Sequence, residues 1–196
     1  MMIYDLEEIE ELGIFDGINE IIATTKNELG APNAAPLGLI KKGNTLSVRL
    51  FVGSHTYENI MAGGEFVANV SHDPMLFVET ALNDISDDKF VERDGELTLE
   101  DAEAWALFRC EPKNLDIALP EVEFVKGEVL KREFRAVNRG INLVVEAAVA
   151  ATRYIALKSD LYLEEIFKIR RIVGRCGGPR EIEAMDRLEE LIEQYE

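Results

Sequence analysis

Two cysteines, two histidines and one tryptophan in 196 residues leave little material for several common chemistries. Cys110 and Cys176 are far apart in sequence, fit no clustered metal-ligand spacing and are too few for a disulfide scaffold, which points to a reducing compartment. His55 and His72 lack a neighbouring cluster of cysteine or carboxylate, so no metal site is expected. No Ser/His/Asp set occurs in a recognisable context. Positive charge is also scarce: 21 Lys and Arg stand against 38 Asp and Glu, a net charge of −17. Such a surface is repelled by a phosphate backbone and by anionic lipid, so neither nucleic acid nor membrane is expected as a partner. No apolar run approaches ~20 residues, and the first residues, MMIYDLEEIEEL, are acidic where a signal peptide is basic. The expectation is a soluble, cytoplasmic protein.

With 47% hydrophobic residues the chain can bury an ordinary core, as one domain or one domain with an appendage. The charge is uneven. Residues 1–20 hold seven acids and no base, whereas residues 21–57 hold Lys26, Lys41, Lys42 and Arg49 against Glu28 alone, a local surplus of three. INEIIATT (18–25), β-branched and followed by the turn-like KNELG, reads as the first strand of a hairpin closed at Gly30 in positive φ. In TLSVRLFVG (45–53), Leu46, Val48, Leu50 and Val52 alternate with Thr45, Ser47, Arg49 and Phe51, giving a core face and a mixed face. A short helix follows over 54–64, capped by Ser54 or Thr56 and ended by Gly63-Gly64. GEFVANVS (64–71) is a strand, and Asp73-Pro74 opens a helix to about Leu82. An Asp-Gly turn sits inside KFVERDGELTL (89–99), and two more strands are expected near 104–112 and 122–134. The pattern then becomes helical over 141–157, 161–174 and 179–195. The plan is a β-rich core of roughly six strands followed by an α-helical C-terminal third.

Pro32-Asn-Ala-Ala-Pro36 is poor in both side chain and backbone donors. One reading is an irregular edge strand, where proline is tolerated. The other is a surface on which a flat ligand approaches the backbone itself. Downstream, Ser54-His55-Thr56 opens a helix whose free N–H groups suit a phosphate, with Arg49 or a lysine to offset its charge; plain N-capping is the alternative. Arg139 could reach a phosphate or carboxylate, or be a surface residue. Arg153, in an apolar helix, is expected in a buried ion pair with Glu146 or an interface acid. GRCGGP (174–179) lacks the preceding strand of a dinucleotide fingerprint and the Lys-Ser/Thr of a P-loop, and reads as a helix–helix turn.

The order TTKNELGAPNAAPLGLI, LSVRLFVGSHTYENI, GEFVANV resembles the flavin reductase-like branch of the FMN-binding split barrels over about residues 18–72. The divergent second half is most similar to an uncharacterised, largely archaeal family of flavin-binding split barrels. The resemblance implies a mainly β fold, a six-stranded Greek-key split barrel over residues 1–136 with inserted short helices, and a helical extension over 137–196. It implies FMN near the interface of a homodimer. Carried over by position, Asn33, Ala34, Ala35, Pro36 and Leu37 line the ring, and Arg49 and Phe51 point toward the cofactor. Ser54, His55 and Thr56 hold the phosphate and Asn59 fixes the loop. The implied activity is that of an oxidoreductase with a nicotinamide or deazaflavin electron donor, no protein acid or base being visible. The alternatives are a non-catalytic flavin carrier, sensor or assembly module, and a deazaflavin-dependent reductase using the same groove.

Overall fold

The long hairpin at the front of the chain organises the rest. Its strands are β2 (Gly17–Lys26) and β3 (Pro32–Lys42), in register from Gly17 opposite Lys41 to Lys26 opposite Pro32. The turn between them is closed by Gly30, at φ +81°. The computed structural model describes residues 1–110 and 119–195. It divides into two units, Met1–Ser71 with Ser86–Arg132, and His72–Ile85 with Glu133–Glu196.

In the first unit, β4 (Thr45–Val48) follows β3, and helix α1 (His55–Gly63) carries the chain across to β5 (Glu65–Val70) on the far side of β2. Three hairpin-connected strands with the fourth beside the first make a Greek key. Next to β5 come β8 (Ala104–Cys110) and β9 (Val122–Val129), all antiparallel. The start of β9 returns to β4 through the Ser47–Glu121 bridge and a hydrogen bond from Val48 N–H to Pro120 C=O (3.1 Å). The six strands therefore curl into a barrel. The split comes from β1 (Met2–Ile3), which occupies the remaining length of that same edge of β9.

Alternation decides what fills the barrel. Ile21, Ala23, Leu37, Leu39, Leu46, Val48, Leu50, Phe66, Ala68, Ala106, Phe108 and Phe124 point inward and form one cluster with Ile60 of α1 and with Ile3, Ile9, Leu12 and Ile14. The expected strand over 45–53 ends at Val48. Leu50 is still buried, but Phe51 and Val52 are 64% and 70% exposed, because a turn with Ser54 N–H donating to Phe51 C=O and Gly53 at φ +86° lifts the chain off the sheet. The alternation that put Val52 on the core face fails there. Likewise β9 stops at Val129 rather than continuing to 134, and residues 111–112 of the expected strand lie outside the described residues.

A second hairpin, β6 (Phe90–Arg93) and β7 (Glu96–Leu99), turns at Asp94-Gly95 and is pinned to the barrel wall by buried Asn69. The amide of Asn69 donates to Ile22 C=O (3.0 Å) and Thr24 Oγ1 (3.1 Å) and accepts from Leu99 N–H (2.8 Å). At the other end of β3, Lys41 is only 7% exposed and binds Asp16 (2.9 Å) and Glu10 (3.2 Å). The hydrogen bond to Asp16 holds the Lys41 ammonium above its ordinary pKa.

The second unit is helical: α2 (Pro74–Leu82), α3 (Arg139–Leu157), α4 (Asp160–Cys176) and α5 (Pro179–Glu193). Residues 72–85 thus pack with the C-terminal helices, since Val78 and Leu82 of α2 join Val144, Ala147, Ala151, Ile166, Leu188 and Ile192 in one cluster. By length and composition α3 could cross a membrane, although no such run was expected; its Val144, Ala147, Ala148, Ala150 and Ala151 are buried. The Gly177-Gly178 link between α4 and α5 is a helix–helix turn. Gly140 approaches it so closely that a Cβ there would lie 2.8 Å from Gly177 Cα.

Candidate functional site: the free edge of β3 and the start of α1

Pro32 and Pro36 stand where the sheet needs no donor. Arg49 N–H donates to Gly38 C=O (3.2 Å), so Gly38 turns its backbone groups to the β4 side. By the two-residue repeat of a strand, Pro36, Ala34 and Pro32 present theirs to that same edge, while Asn33, Ala35 and Leu37 bond toward β2. Because β4 pairs only with Leu39–Lys42, the edge from Pro32 to Leu37 has no strand beside it among the described residues. Its polar groups are the N–H and C=O of Ala34 and the carbonyls of Pro32 and Pro36. Side chains there are small, and Ala34, Ala35 and Pro36 are partly exposed.

Helix α1 lies against β2 and β3 at this end of the barrel. A polar cluster fixes it. Asn33 Nδ2 donates to Thr56 Oγ1 (3.0 Å) and Thr25 Oγ1 (3.4 Å), and Asn59 Nδ2 donates to Thr25 Oγ1 (2.9 Å). Thr25, Thr56 and Asn59 are 5%, 5% and 8% exposed. Ser54 caps the helix, its Oγ accepting from Tyr57 N–H (3.2 Å). The N–H groups of His55 and Thr56 have no acceptor among the described residues, and they sit at the positive end of the helix dipole. The His55 side chain is exposed. Arg49 is exposed too, with no ion-pair partner among the described residues, and Phe51 follows it on the same loop.

The eleven expected residues therefore divide by what they can still offer. Ala34 and Pro36 present backbone, Ala35 turns its backbone to β2 and offers only a half-buried methyl group, Arg49, Phe51 and His55 present free side chains, and Ser54 presents a helix start. Asn33, Thr56 and Asn59 have their side chains committed to one another and to Thr25, which makes them the frame holding α1 at the edge. Leu37 is 5% exposed and belongs to the barrel core. Thr25 was missed: its sequence signal was only the end of a β-branched run, and the two-acceptor role appears once register brings it opposite Asn33. Replacing Thr25 by the isosteric valine strands two amide donors, and about 1.5 kcal/mol of stability should be lost. Denaturant unfolding followed by Trp105 fluorescence checks this, and an unchanged midpoint would mean that the cluster does not hold α1.

This site is an open surface. A shallow, open cleft of about 610 Å³ lies elsewhere in the same unit, lined by Tyr4, Leu6, Asn44, Leu46, Glu123 and Phe124 among others, and includes none of the residues above. Arg139 and Arg153, candidates by sequence, are both exposed. Arg153 and Glu146 form no ion pair with each other or with any described residue, so the expected buried pairing with Glu146 is not made: both stand exposed on the outer face of α3.

A Greek-key barrel of six antiparallel strands, split along one edge and carrying a capped helix beside a donor-poor edge, is the fold of the flavin reductase-like FMN-binding proteins. It superposes on an FMN-binding domain of a flavin reductase-like enzyme from Shewanella baltica with a TM-score of 0.51 at 17% identity, over 65% of this chain and 76% of that one. The chain belongs to the DUF447 family, a protein family of unknown function whose N-terminal domain model matches residues 19–142 and whose C-terminal model matches residues 138–190. A crystal structure of an FMN-bound member of this family from Methanosarcina mazei superposes with a TM-score of 0.85 at 37% identity, over 93% of this chain and 99% of that one. An uncharacterised protein of Methanocaldococcus jannaschii is 30% identical over 179 residues, 82% of this chain and 91% of its own length.

Proposed function

We propose that this protein binds FMN along the free edge of β3, with the phosphate at the start of α1, and acts as an oxidoreductase of the flavin reductase-like type. The observation that carries the reading is the conjunction of an unpaired, side-chain-poor strand edge with a helix start whose two N–H groups are free, at one end of one barrel. The FMN-bound relative, similar over nearly the whole chain, supports it. The residues fit the group: a ring with imide donors and acceptors along its rim matches the alternating groups of Ala34 and Pro36. The dianionic phosphate matches the N–H groups of His55 and Thr56 and the unpaired Arg49. When bound, the flavin supplies the electron transfer; the chain supplies binding, orientation and the local field. The cluster of Asn33, Thr56, Asn59 and Thr25 holds the phosphate end at a fixed offset from the ring edge. No acid or base is assigned, since hydride transfer to a flavin needs none.

The open form of the site accords with completion by a second copy of the chain, so the proposal includes a homodimer with the flavin near its interface. It also includes a nicotinamide or deazaflavin electron donor. The experiment is a titration of the apoprotein with FMN, followed by quenching of flavin fluorescence, with stopped-flow reduction by each donor. One FMN per chain is expected, and Arg49→Ala, exposed and unpaired, should weaken binding by roughly tenfold or more by removing one charge-assisted hydrogen bond. Absence of quenching ends the reading; binding without reduction by any donor leaves a flavin carrier.

A further inference from the structure

Helix α3 has 19 residues and three charged side chains, Arg139, Glu146 and Arg153. Seven residues are 20° short of two full turns, so these three lie on one stripe, each about 10 Å along the axis from the next. All three are exposed, and none has an ion-pair partner among the described residues. Between Glu146 and Arg153 lies Val149, half-buried, flanked by half-buried Val145 and Thr152 and followed by exposed Ala156 and Leu157. The opposite face of the helix is spent on the helical core through Val144, Ala147, Ala148 and Ala151. An apolar stripe with unpaired charges at heptad spacing is thus left on the outside.

We infer that this face of α3 docks against the same face of a second copy, antiparallel, about a two-fold axis through Val149. The order plus, minus, plus selects that occupant. A two-fold axis beside Val149 sets Glu146 of each copy opposite Arg153 of the other, giving two reciprocal pairs from one patch, as an isologous contact requires. A parallel copy would set arginine against arginine and glutamate against glutamate. A uniformly acidic partner would meet Glu146, and a basic one would meet both arginines. Surface ion pairs add little net energy, so their part here is to fix register and direction. The apolar strip of Val145, Val149, Ala156 and Leu157 supplies the burial. Heptad spacing suits the shallow crossing of two long helices. For copies that each carry −17, a patch in which opposite charges meet also lowers the local cost of approach.

Charge exchange tests it. E146R and R153E are each expected to weaken self-association at least tenfold in sedimentation velocity at low salt. The E146R chain then has only positive charge at the two positions and the R153E chain only negative, so mixing the two should restore association to the level of the unaltered protein. A second measurement keeps both charges: V149C in a C176S background should form an intermolecular disulfide under mild oxidation, faster than E183C in the same background. The inference is overturned if the mixture sediments as its separate components do, or if V149C cross-links no faster than E183C. The two readings fail separately: a mixture that does not associate overturns the α3 contact, whereas absence of flavin quenching in the unaltered protein overturns the barrel site.

Discussion

Phe108→Ala should lower the stability of the barrel unit by about 4 kcal/mol, among the largest effects expected of a single truncation in this protein. Phe108 is fully buried at the middle of β8, the strand between β5 and β9. Its register partners are aromatic on both sides: Phe66 on β5, stacked at 5.3 Å between ring centres and 20° between planes, and Phe124 on β9, tilted at 5.8 Å. Truncation removes the transfer free energy of a whole ring, leaves a cavity that three paired strands cannot close, and loses two ring–ring contacts worth roughly 0.5–1.5 kcal/mol each, part of which the truncation figure already contains. Phe108→Leu keeps most of the volume and should cost less than half as much. The single tryptophan, Trp105, is buried three residues away on the same strand, so its fluorescence in denaturant reports this unit and not the helical one. A loss under about 1 kcal/mol would show that the three rings do not form the centre of the core.

Gly127→Ala is the second, with an expected net loss of about 2–3 kcal/mol. Alanine is a better strand residue than glycine by roughly 0.5–1 kcal/mol, so a rule based on propensity predicts the opposite sign. Space decides. Gly127 sits on β9 with Ile3 of β1 on one side and Ala106 of β8 on the other. A Cβ placed there would lie 2.6 Å from Leu12 Cδ1 and 2.6 Å from the carbonyl oxygen of Trp105. The leucine tip can rotate away; a backbone carbonyl inside a paired strand cannot, so β9 must lift from β8. Gly63→Ala is the control, since nothing lies within 4 Å of its added Cβ and its φ is ordinary. That substitution should be neutral or slightly stabilising. Equal midpoints for the two variants in denaturant would mean that β9 is free to shift.

Strand-period alternation and cap chemistry were legible because they are local. INEIIATT and GEFVANVS appear as β2 and β5, the Asp73-Pro74 start as α2, and the Asp94-Gly95 turn as the head of the second hairpin. The strand pattern overran at Val52, where Gly53 in positive φ broke the strand that the apolar alternation continued, and past Val129, where β9 ends. The acidic first residues carried no strand signal, yet they supply β1 and four buried core residues, because two residues can pair with β9 without any periodicity of their own. The candidate site was half legible. Small residues between two prolines announced an edge, and Ser54 announced a helix start. Which backbone groups face outward, and that the Asn33, Thr56 and Asn59 side chains are occupied with Thr25, depend on register and on where α1 comes to rest.

What the sequence determined alone is most of the elements and their chemistry: a strongly acidic charge balance, donor-poor β3, a capped α1 and an apolar α3 with three charges seven apart. These follow from residue type and short-range spacing, which act within a turn or a strand. What the tertiary structure decided is which of those features meet. Closing β4 onto β9 leaves the outer edge of the first half of β3 without a strand among the described residues, beside α1, and folding α2 with α3, α4 and α5 buries one face of α3 while its charged stripe stays outside. Such juxtapositions are set by contacts between residues far apart in the chain. Their energy comes from burial that no local window contains.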